Sequence, residues 1–450
     1  MYLIKEIDFI ELGNGKHLML NLINGAADLL NDGLYQSIMA NDFSSIDKEI
    51  INSMMLRRYL FKSKQNYEKF INEINLKIDE EERKSAPNFL IVPTYACNLG
   101  CIYCYEQTYV IKKTSKSPCE LVDIQYEHID RIVEEFRSST GKINEEICIT
   151  IMGGEPLLKN NVEVIEYIFA AAQLRAYTVD IVTNGVDLDS YIDMFLKFKS
   201  TFKHIQITVD GIKEIHDTRR IFRNGSGSFD LIFSNMKLAL NHGVKTYLRV
   251  NVDKSNINEL PLLADTLLEN FGNDENLQPY VYLLQDGGCS GQSNIVEEKI
   301  GIEQIFELED ANPNMKIFYK KFHPAEFIDS VFNNTPFQPV LRHCGAAKNQ
   351  YIFDSKSNVH KCWHGIGNND FRTGVFEPEF KLNKKKMEEW TGRSGNNLYE
   401  CKSCKYRYIC GTGCPAAQHK AGTEMDVTKP SCVDYKELIR TIVLQKTRHN

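Results

Sequence analysis

The 450-residue chain has no apolar run long enough to span a bilayer. Val164–Ala172, among its longest, is interrupted by Glu166. Its opening, MYLIKEIDFIEL, carries acids where a secretory signal would be apolar, so the sequence predicts a cytoplasmic protein with no membrane partner. A basic excess is missing too. Fifty-three Lys and Arg against 60 Asp and Glu leave a net charge of −7, and the one dense basic cluster is Lys384-Lys385-Lys386, which argues against a nucleic-acid partner. No repeat at solenoid periods is present. With 42% hydrophobic and 25% charged residues, wholesale disorder is excluded. At about 150 residues per domain, the length allows roughly three folding units.

Against these absences stands an abundance of cysteine. There are 13, an odd number, in a large chain read as cytoplasmic, so a disulfide framework does not fit. Ten of them fall in two groups, residues 97–104 and 344–432, which points to metal or iron–sulfur ligation.

Residues 1–86 read as a separate unit. Strand-like runs Tyr2–Leu12 and His17–Leu22 precede the turn Asn24-Gly25 and helical periodicity, with further amphipathic helices over Asp42–Met54 and Asn66–Leu76. Two or three strands followed by three helices fit a winged-helix shape. The charged run Asp79–Lys84, followed by Ser85-Ala86-Pro87, reads as a linker. From residue 88 apolar strand runs alternate with helices. The strands are Asn88–Pro93, Ile147–Met152, Val179–Val182, His204–Val209, Tyr247–Val252 and Tyr280–Leu284. The helices are Glu127–Arg137, Val162–Leu174, Ser190–Lys199, Phe229–Asn241 and Leu260–Phe271. The pattern predicts an α/β fold with a parallel sheet, either open and doubly wound or a partial barrel, with its site just beyond the strands. Residues 301–340 lack a clear period and read as a bridge to a cysteine-rich region, 341–450.

The first cysteine group, Cys97, Cys101 and Cys104, follows the first strand directly. Three thiolates on one loop can reach three irons of one cubane and leave the fourth iron open to a small chelating molecule. A structural zinc knuckle would need a fourth ligand, and the loop has no further Cys or His. Gly153-Gly154-Glu155-Pro156 follows the second strand, Thr183-Asn184-Gly185 the third, and Thr208-Val209-Asp210-Gly211 the fourth. Here the chain resembles the radical S-adenosylmethionine (SAM) enzymes, whose signature is C-x3-C-x2-C with a GGEP-type motif. The resemblance implies a partial (β/α)6 barrel and a 4Fe–4S cluster on which SAM is cleaved to methionine and a 5′-deoxyadenosyl radical. It implies that Gly153, Gly154 and Glu155 bind the SAM ammonium, that Tyr103 lies near the adenine, and that Thr183, Asn184, Thr208 and Asp210 supply polar contacts. His216-Asp217-Thr218-Arg219-Arg220 and Gly225-Ser226-Gly227-Ser228-Phe229 look like segments of peptide-modifying members. Whether Arg220, Arg223 or Arg249 meets the SAM carboxylate stays open.

The second group reads Cys344-x17-Cys362, then Cys401-x2-Cys404-x5-Cys410-x3-Cys414-x17-Cys432. Seven cysteines exceed one tetrahedral site. The pattern resembles the SPASM extension of radical SAM enzymes, which implies two auxiliary 4Fe–4S clusters and three clusters in all. By the crossover of that family, Cys401, Cys404, Cys410 and Cys432 would hold an outer cluster, and Cys344, Cys362 and Cys414 an inner one. The inner cluster lacks its usual fourth cysteine. Either Cys289 supplies it or the site is open to a substrate thiolate or water. Of the rest, Cys148 reads as a buried core residue, and Cys119 has no assigned role.

The resemblance implies an enzyme that modifies a peptide or protein. Sulfatase-maturing members place an Asp where this chain has Trp363, and an indole cannot accept a proton. The N-terminal unit resembles modules that recognise the leader of a ribosomally made precursor by strand addition. The expected function is therefore a peptide maturase that installs a cross-link, a Cys thioether, with a ferredoxin or flavodoxin as reductant. Formylglycine formation in a sulfatase and an iron–sulfur electron carrier are the alternatives.

Overall fold

The computed structural model describes residues 1–108, 116–285, 294–418 and 426–448. Six strands pair in parallel in chain order: β1 (Asn88–Val92), β2 (Cys148–Ile151), β3 (Thr178–Thr183), β4 (Phe202–Thr208), β5 (Thr246–Val252) and β6 (Leu277–Leu283). A doubly wound sheet reverses its strand order at a switch point. This one does not, so the partial barrel is the correct reading. The helices that return the chain are α1 (Pro118–Thr140), α2 (Val162–Leu174), α3 (Ile192–Lys197), α4 (Lys213–Arg219), α5 (Phe229–Asn241) and α6 (Leu260–Phe271). The sheet does not close. Tyr319–Lys320 adds in parallel beyond β6, and Gln350–Asp354 adds in parallel to β1, then continues antiparallel through Asn358–His360, Arg372–Val375 and Lys381–Leu382.

The strands alternate, with β-branched residues on the face packed against the helices and partly buried residues on the other. Ile149, Ile151, Val179, Ile181, Ile205, Ile207 and Val250 are all fully buried, against Ile165, Ile168, Phe169, Ile232, Met236, Leu263 and Leu267 of the helices. Each such burial is worth about 1.5–3 kcal/mol. Helix α1 starts on a capping box, Ser117 with Glu120, and stops on Gly141 at a φ of +72°.

Residues 1–83 form a three-stranded antiparallel sheet (Ile7–Gly13, Lys16–Asn21, Ala27–Asn31), a short ladder of Tyr2–Leu3 with Leu60–Phe61, and helices Asp32–Met39, Lys48–Leu56 and Lys64–Arg83. The charged run expected to be a linker is instead the last turn of that long helix. The helix continues because Glu82 is buried on a distant partner, Arg342. Residues 301–340 are likewise more regular than their sequence reads. Helix Glu298–Ala311 buries Ile302, Ile305 and Phe306 and packs on the C-terminal helix Tyr435–Thr447, and Ala325–Phe332 forms a second. Among the described residues no helix is long and apolar enough to cross a membrane.

Candidate active site and auxiliary thiol groups

The C-terminal ends of the parallel strands deliver every polar motif to one rim. The cysteine loop leaves β1 and is held by backbone bonds to the segment after α4: Gly100 N–H to Ile221 O at 2.7 Å and Ile102 N–H to Arg219 O at 3.0 Å. The Gly153-Gly154 turn after β2 packs directly on this loop. Gly154 N–H donates to Thr94 O and Glu155 N–H to Ala96 O. A Cβ on Gly153 would lie 2.7 Å from Thr94 O, and one on Gly154 2.5 Å from Tyr95 O. The glycines are thus required by the close approach of two loops.

Glu155 is buried, and both its oxygens accept from protein donors: Thr183 Oγ1 at 2.6 Å, Leu157 N–H at 2.8 Å and Asn184 N–H at 2.6 Å. Burial pushes its carboxyl up to about 7 against the pull of those donors and of Arg220. It therefore ties β2 to β3. Asn184 extends the tie, donating through Nδ2 to Asn98 Oδ1 at 2.7 Å and to Cys97 Sγ at 3.9 Å.

Asp210, after β4, organises the other half. It accepts from Tyr103 Oη at 2.5 Å, from Asn251 N–H at 3.0 Å and from Arg219 Nε at 3.4 Å. Arg219 in turn forks onto Asp253. Thr208 is buried at the end of β4. The two motifs around residues 216–229 interlock. His216 bonds Ser228 Oγ at 3.0 Å, while Asp217 accepts from the N–H groups of Ser228 and Phe229. Their product is the placement of Arg220. It is 8% exposed, donates from Nη1 to Tyr103 Oη at 2.7 Å, and leaves Nε without a partner. Its strongest charge neighbour is Cys101. Arg223 instead donates to Cys97 O, and Arg249 to Asn251 Oδ1 while lying over the Tyr282 ring. Of the three arginines left open, Arg220 is the buried one with donor capacity to spare beside the cysteine loop, which suits a carboxylate.

Burial pushes the thiol of Cys97 up to about 11 and that of Cys104 up to about 12, and the charge of Cys101 raises both further. Among the described residues no three His, Cys, Asp or Glu side chains converge as a single metal ion requires. A cluster asks for something different, one thiolate per iron. The donor set, three thiols on one loop, fits that demand.

The C-terminal cysteines separate into two sets by the same measure. Cys362 senses Cys414 and Cys344, whereas Cys401 senses Cys410, Cys432 and Cys404. The first set lies against Ala346, Trp390, Ala416 and Val427. Between the sets runs Arg393, 1% exposed. It donates to the carbonyls of Val427, Lys429, Thr412 and Gly413, and its nearest negative charges are the thiolates of Cys414, Cys344, Cys401 and Cys410. Cys289 lies outside the described residues. Cys148 is half-buried rather than a core residue, and its thiol donates to Asp180 Oδ2 at 3.3 Å. Its place in a strand run suggested burial in the core, but its side of β2 meets a carboxylate. Cys119 packs partly buried on the core.

Three features carried no sequence signal. Asp354, on the strand added to β1, accepts from Tyr95 Oη at 2.6 Å and from His360, joining the C-terminal region to the cysteine loop. Tyr105, next to Cys104, meets His364 with ring centroids 4.8 Å apart, so the segment after Cys104 touches the segment after Cys362. Beside them, Glu106 has a buried Oε2 without a partner, and burial pushes its carboxyl up to about 7.

The sequence profile of the Radical SAM superfamily matches residues 91–267. The chain is 26% identical over 237 residues to Fe-coproporphyrin III synthase of Methanosarcina barkeri, covering 52% of this chain and 53% of that protein, about half its length. It is 25% identical over 361 residues to mycofactocin maturase MftC of Mycobacterium tuberculosis, covering 76% and 81%. It is 21% identical over 347 residues to the cysteine-type anaerobic sulfatase-maturating enzyme of Clostridium novyi, covering 73% and 87%. Among solved structures, native anSMEcpe with bound AdoMet superposes with a TM-score of 0.57 at 18% identity, covering 80% of this chain and 100% of the other. SuiB of Streptococcus suis bound to S-adenosylmethionine superposes with a TM-score of 0.51 at 15% identity, covering 95% and 100%, and SuiB has also been solved with its precursor peptide SuiA. At these identities the structures establish the fold, and the profile establishes the domain within it. Residues 91–267 therefore form a radical SAM domain.

Proposed function

We propose that this chain is a radical SAM peptide maturase that installs a cross-link, a Cys thioether, in a ribosomally made precursor. Bound SAM, on a cluster held by Cys97, Cys101 and Cys104, supplies the radical that abstracts hydrogen. The protein's part is placement. Arg220 offers its free Nε–H to the SAM carboxylate, Glu155 fixes the β2 and β3 loops as one cradle, and Asp210 with Arg219 holds Tyr103 against that cradle. Cys344, Cys362 and Cys414 hold an inner auxiliary cluster, and Cys401, Cys404, Cys410 and Cys432 an outer one, three in all.

The observation that supports the reading is the contact of Tyr105 with His364, which brings the segment after Cys104 against the segment after Cys362. A peptide residue bound beside that contact would lie near both the site of hydrogen abstraction and a set of three cysteines, one short of a full cluster's complement. The domains run 1–86 for leader recognition, 87–300 for the barrel, 301–340 as a bridge and 341–450 for the auxiliary clusters. In the first, the Ala27–Asn31 strand is an edge with Leu29 65% exposed, an available partner for an extended leader.

Reconstituted, reduced enzyme incubated with SAM and its precursor should give 5′-deoxyadenosine and a product lighter by two hydrogens. A product of unchanged hydrogen count removes the cross-link, and absence of 5′-deoxyadenosine leaves only the electron carrier. Likeness to a sulfatase-maturating enzyme favours a second reading, formylglycine formation. Trp363, 41% exposed beside Cys362, cannot act as a base there, and a sulfatase-motif peptide should not turn over.

A further inference from the structure

The five residues between Cys404 and Cys410 do something that ligand spacing alone does not require. Lys405 Nζ donates to Asp8 Oδ1 at 2.8 Å and to Ile7 O at 3.3 Å. Tyr406 Oη donates to Asp8 Oδ2 at 2.9 Å. Arg407 faces the buried carboxylate of Glu6 at 4.0 Å. Tyr408 Oη donates to Asn75 Oδ1 at 2.8 Å, and its ring, fully buried, belongs to the core of the N-terminal unit together with Ile7, Tyr67 and Ile71. Four consecutive side chains of one thiol-bearing loop therefore grip two elements of residues 1–83: the first strand of its three-stranded sheet and its long helix.

We infer that the outer thiol group acts as a clamp: the cluster closed by Cys401, Cys404, Cys410 and Cys432 fixes the 405–408 loop, and that loop holds the leader-recognition unit in position for the barrel. The inference rests on the proposed cluster ligation and leader role. Its physical basis is that the loop's elements, Tyr399–Lys402 and Arg407–Cys410, are four residues each, far below the length at which a helix is stable by itself. Ligation of both its ends replaces that missing order. Burying Tyr408, Glu6 and Asp8 against the loop is favourable only if the loop is already fixed, because the entropy of ordering five residues would otherwise be lost on docking. A second anchor lies on the neighbouring segment, whose Val340 N–H donates to Tyr408 O. Arg342 lies 2.7 Å from Asp79 and 3.1 Å from Glu82, and Glu82 accepts from the N–H groups of Leu341 and Arg342. Loss of the clamp should therefore loosen the unit from one side.

The test uses the full chain, anaerobically reconstituted, with iron counted. Cys432→Ala removes one outer ligand without touching residues 405–408. It should lose outer-cluster iron, raise amide hydrogen exchange in Ile7–Gly13 at least tenfold but in Asp79–Arg83 much less, and raise the precursor KM more than it lowers kcat. Asp8→Ala, which keeps all cysteines, should raise exchange in Ile7–Gly13 with iron content unchanged. Unchanged exchange in Cys432→Ala despite lost iron overturns the clamp, as does unchanged exchange in Asp8→Ala. Full iron retention in Cys432→Ala overturns the outer ligand set and the clamp with it. Loosened exchange with unaltered precursor KM in both variants keeps the clamp and removes the leader role.

Discussion

Arg220 shows what a single side chain contributes here. Its Nη1 is spent on Tyr103, its Nε is buried and unsatisfied, and Cys101 is its strongest charge neighbour. A charge-assisted bond to an anion is worth about 1.5–3 kcal/mol, so Arg220→Met should weaken SAM binding about 10- to 100-fold with the iron of the first thiol group retained, measured by equilibrium dialysis on the reconstituted protein. Arg220→Lys should recover part of it. Sequence reading brought three arginines to this question and stopped, for a physical reason. Arg220 is selected by where the loops after β1, β4 and β5 meet, and that meeting is long-range. The cysteines were legible because their chemistry is local: three thiols within eight residues share one loop whatever the rest of the fold does. Glu155 was legible as important but not in its partners, since Thr183 and Asn184 lie 28 and 29 residues away and claim both its oxygens.

At the scale of elements, the barrel strands were legible because buried β-branched residues recur at every second position, Ile149 and Ile151, Val179 and Ile181, Ile205 and Ile207. The helix Lys64–Arg83 was cut short for the opposite reason. Its last turn is all charge, and only the presence of Arg342 on another element makes Glu82 an interior residue. The same kind of contact makes two predictions. Gly154→Ala drives a Cβ into the carbonyls of Tyr95 and Ala96. Overpacking of this sort costs about 1–3 kcal/mol, and here the backbone that must move carries Cys97, so the variant should lose iron from the first thiol group while keeping iron in the C-terminal region, checked by iron analysis and electron paramagnetic resonance. The second concerns Asp354. Burial alone would raise its carboxyl, but the bonds from His360, Tyr95 and Asn358 outweigh burial and hold it below the ordinary carboxylate value. A carboxyl depressed in the folded state adds stability that is complete above its unfolded pKa and lost as pH falls through the folded one. Asp354→Asn should therefore lower the denaturation midpoint at pH 7 and flatten its fall below about pH 4, measured by urea titration across pH.

At the scale of the whole molecule, the N-terminal unit is not an appendage joined by a linker, as its sequence suggested. Glu6, Asp8, Asn75, Asp79 and Glu82 are all engaged by residues 342–408, and Leu341 and Tyr408 sit in its hydrophobic core. Truncation at residue 86 is therefore the wrong test of leader recognition. It would uncover Arg342, Arg407 and Tyr408, all now buried, and strip partners from the segments that carry Cys344, Cys404 and Cys410. Loss of function would then report damage to the auxiliary region. The informative change lies on the opposite side of the small sheet. Ile7–Gly13 is covered by the 405–406 contacts and touches the C-terminal helix, which leaves Ala27–Asn31 as the other edge, where Arg57 engages Ala27 O and Asp28 and the exposed Leu29 lies beyond them. Leu29→Asp places a charge on that edge without touching either anchor. A single anchor side chain of a peptide interface is commonly worth 1 kcal/mol or more, so precursor binding should weaken by about tenfold, read by fluorescence anisotropy with a labelled leader. Iron content, melting temperature and 5′-deoxyadenosine formation without precursor should stay at wild-type values. Equal affinity in Leu29→Asp would move the leader off this edge and onto another face of the molecule.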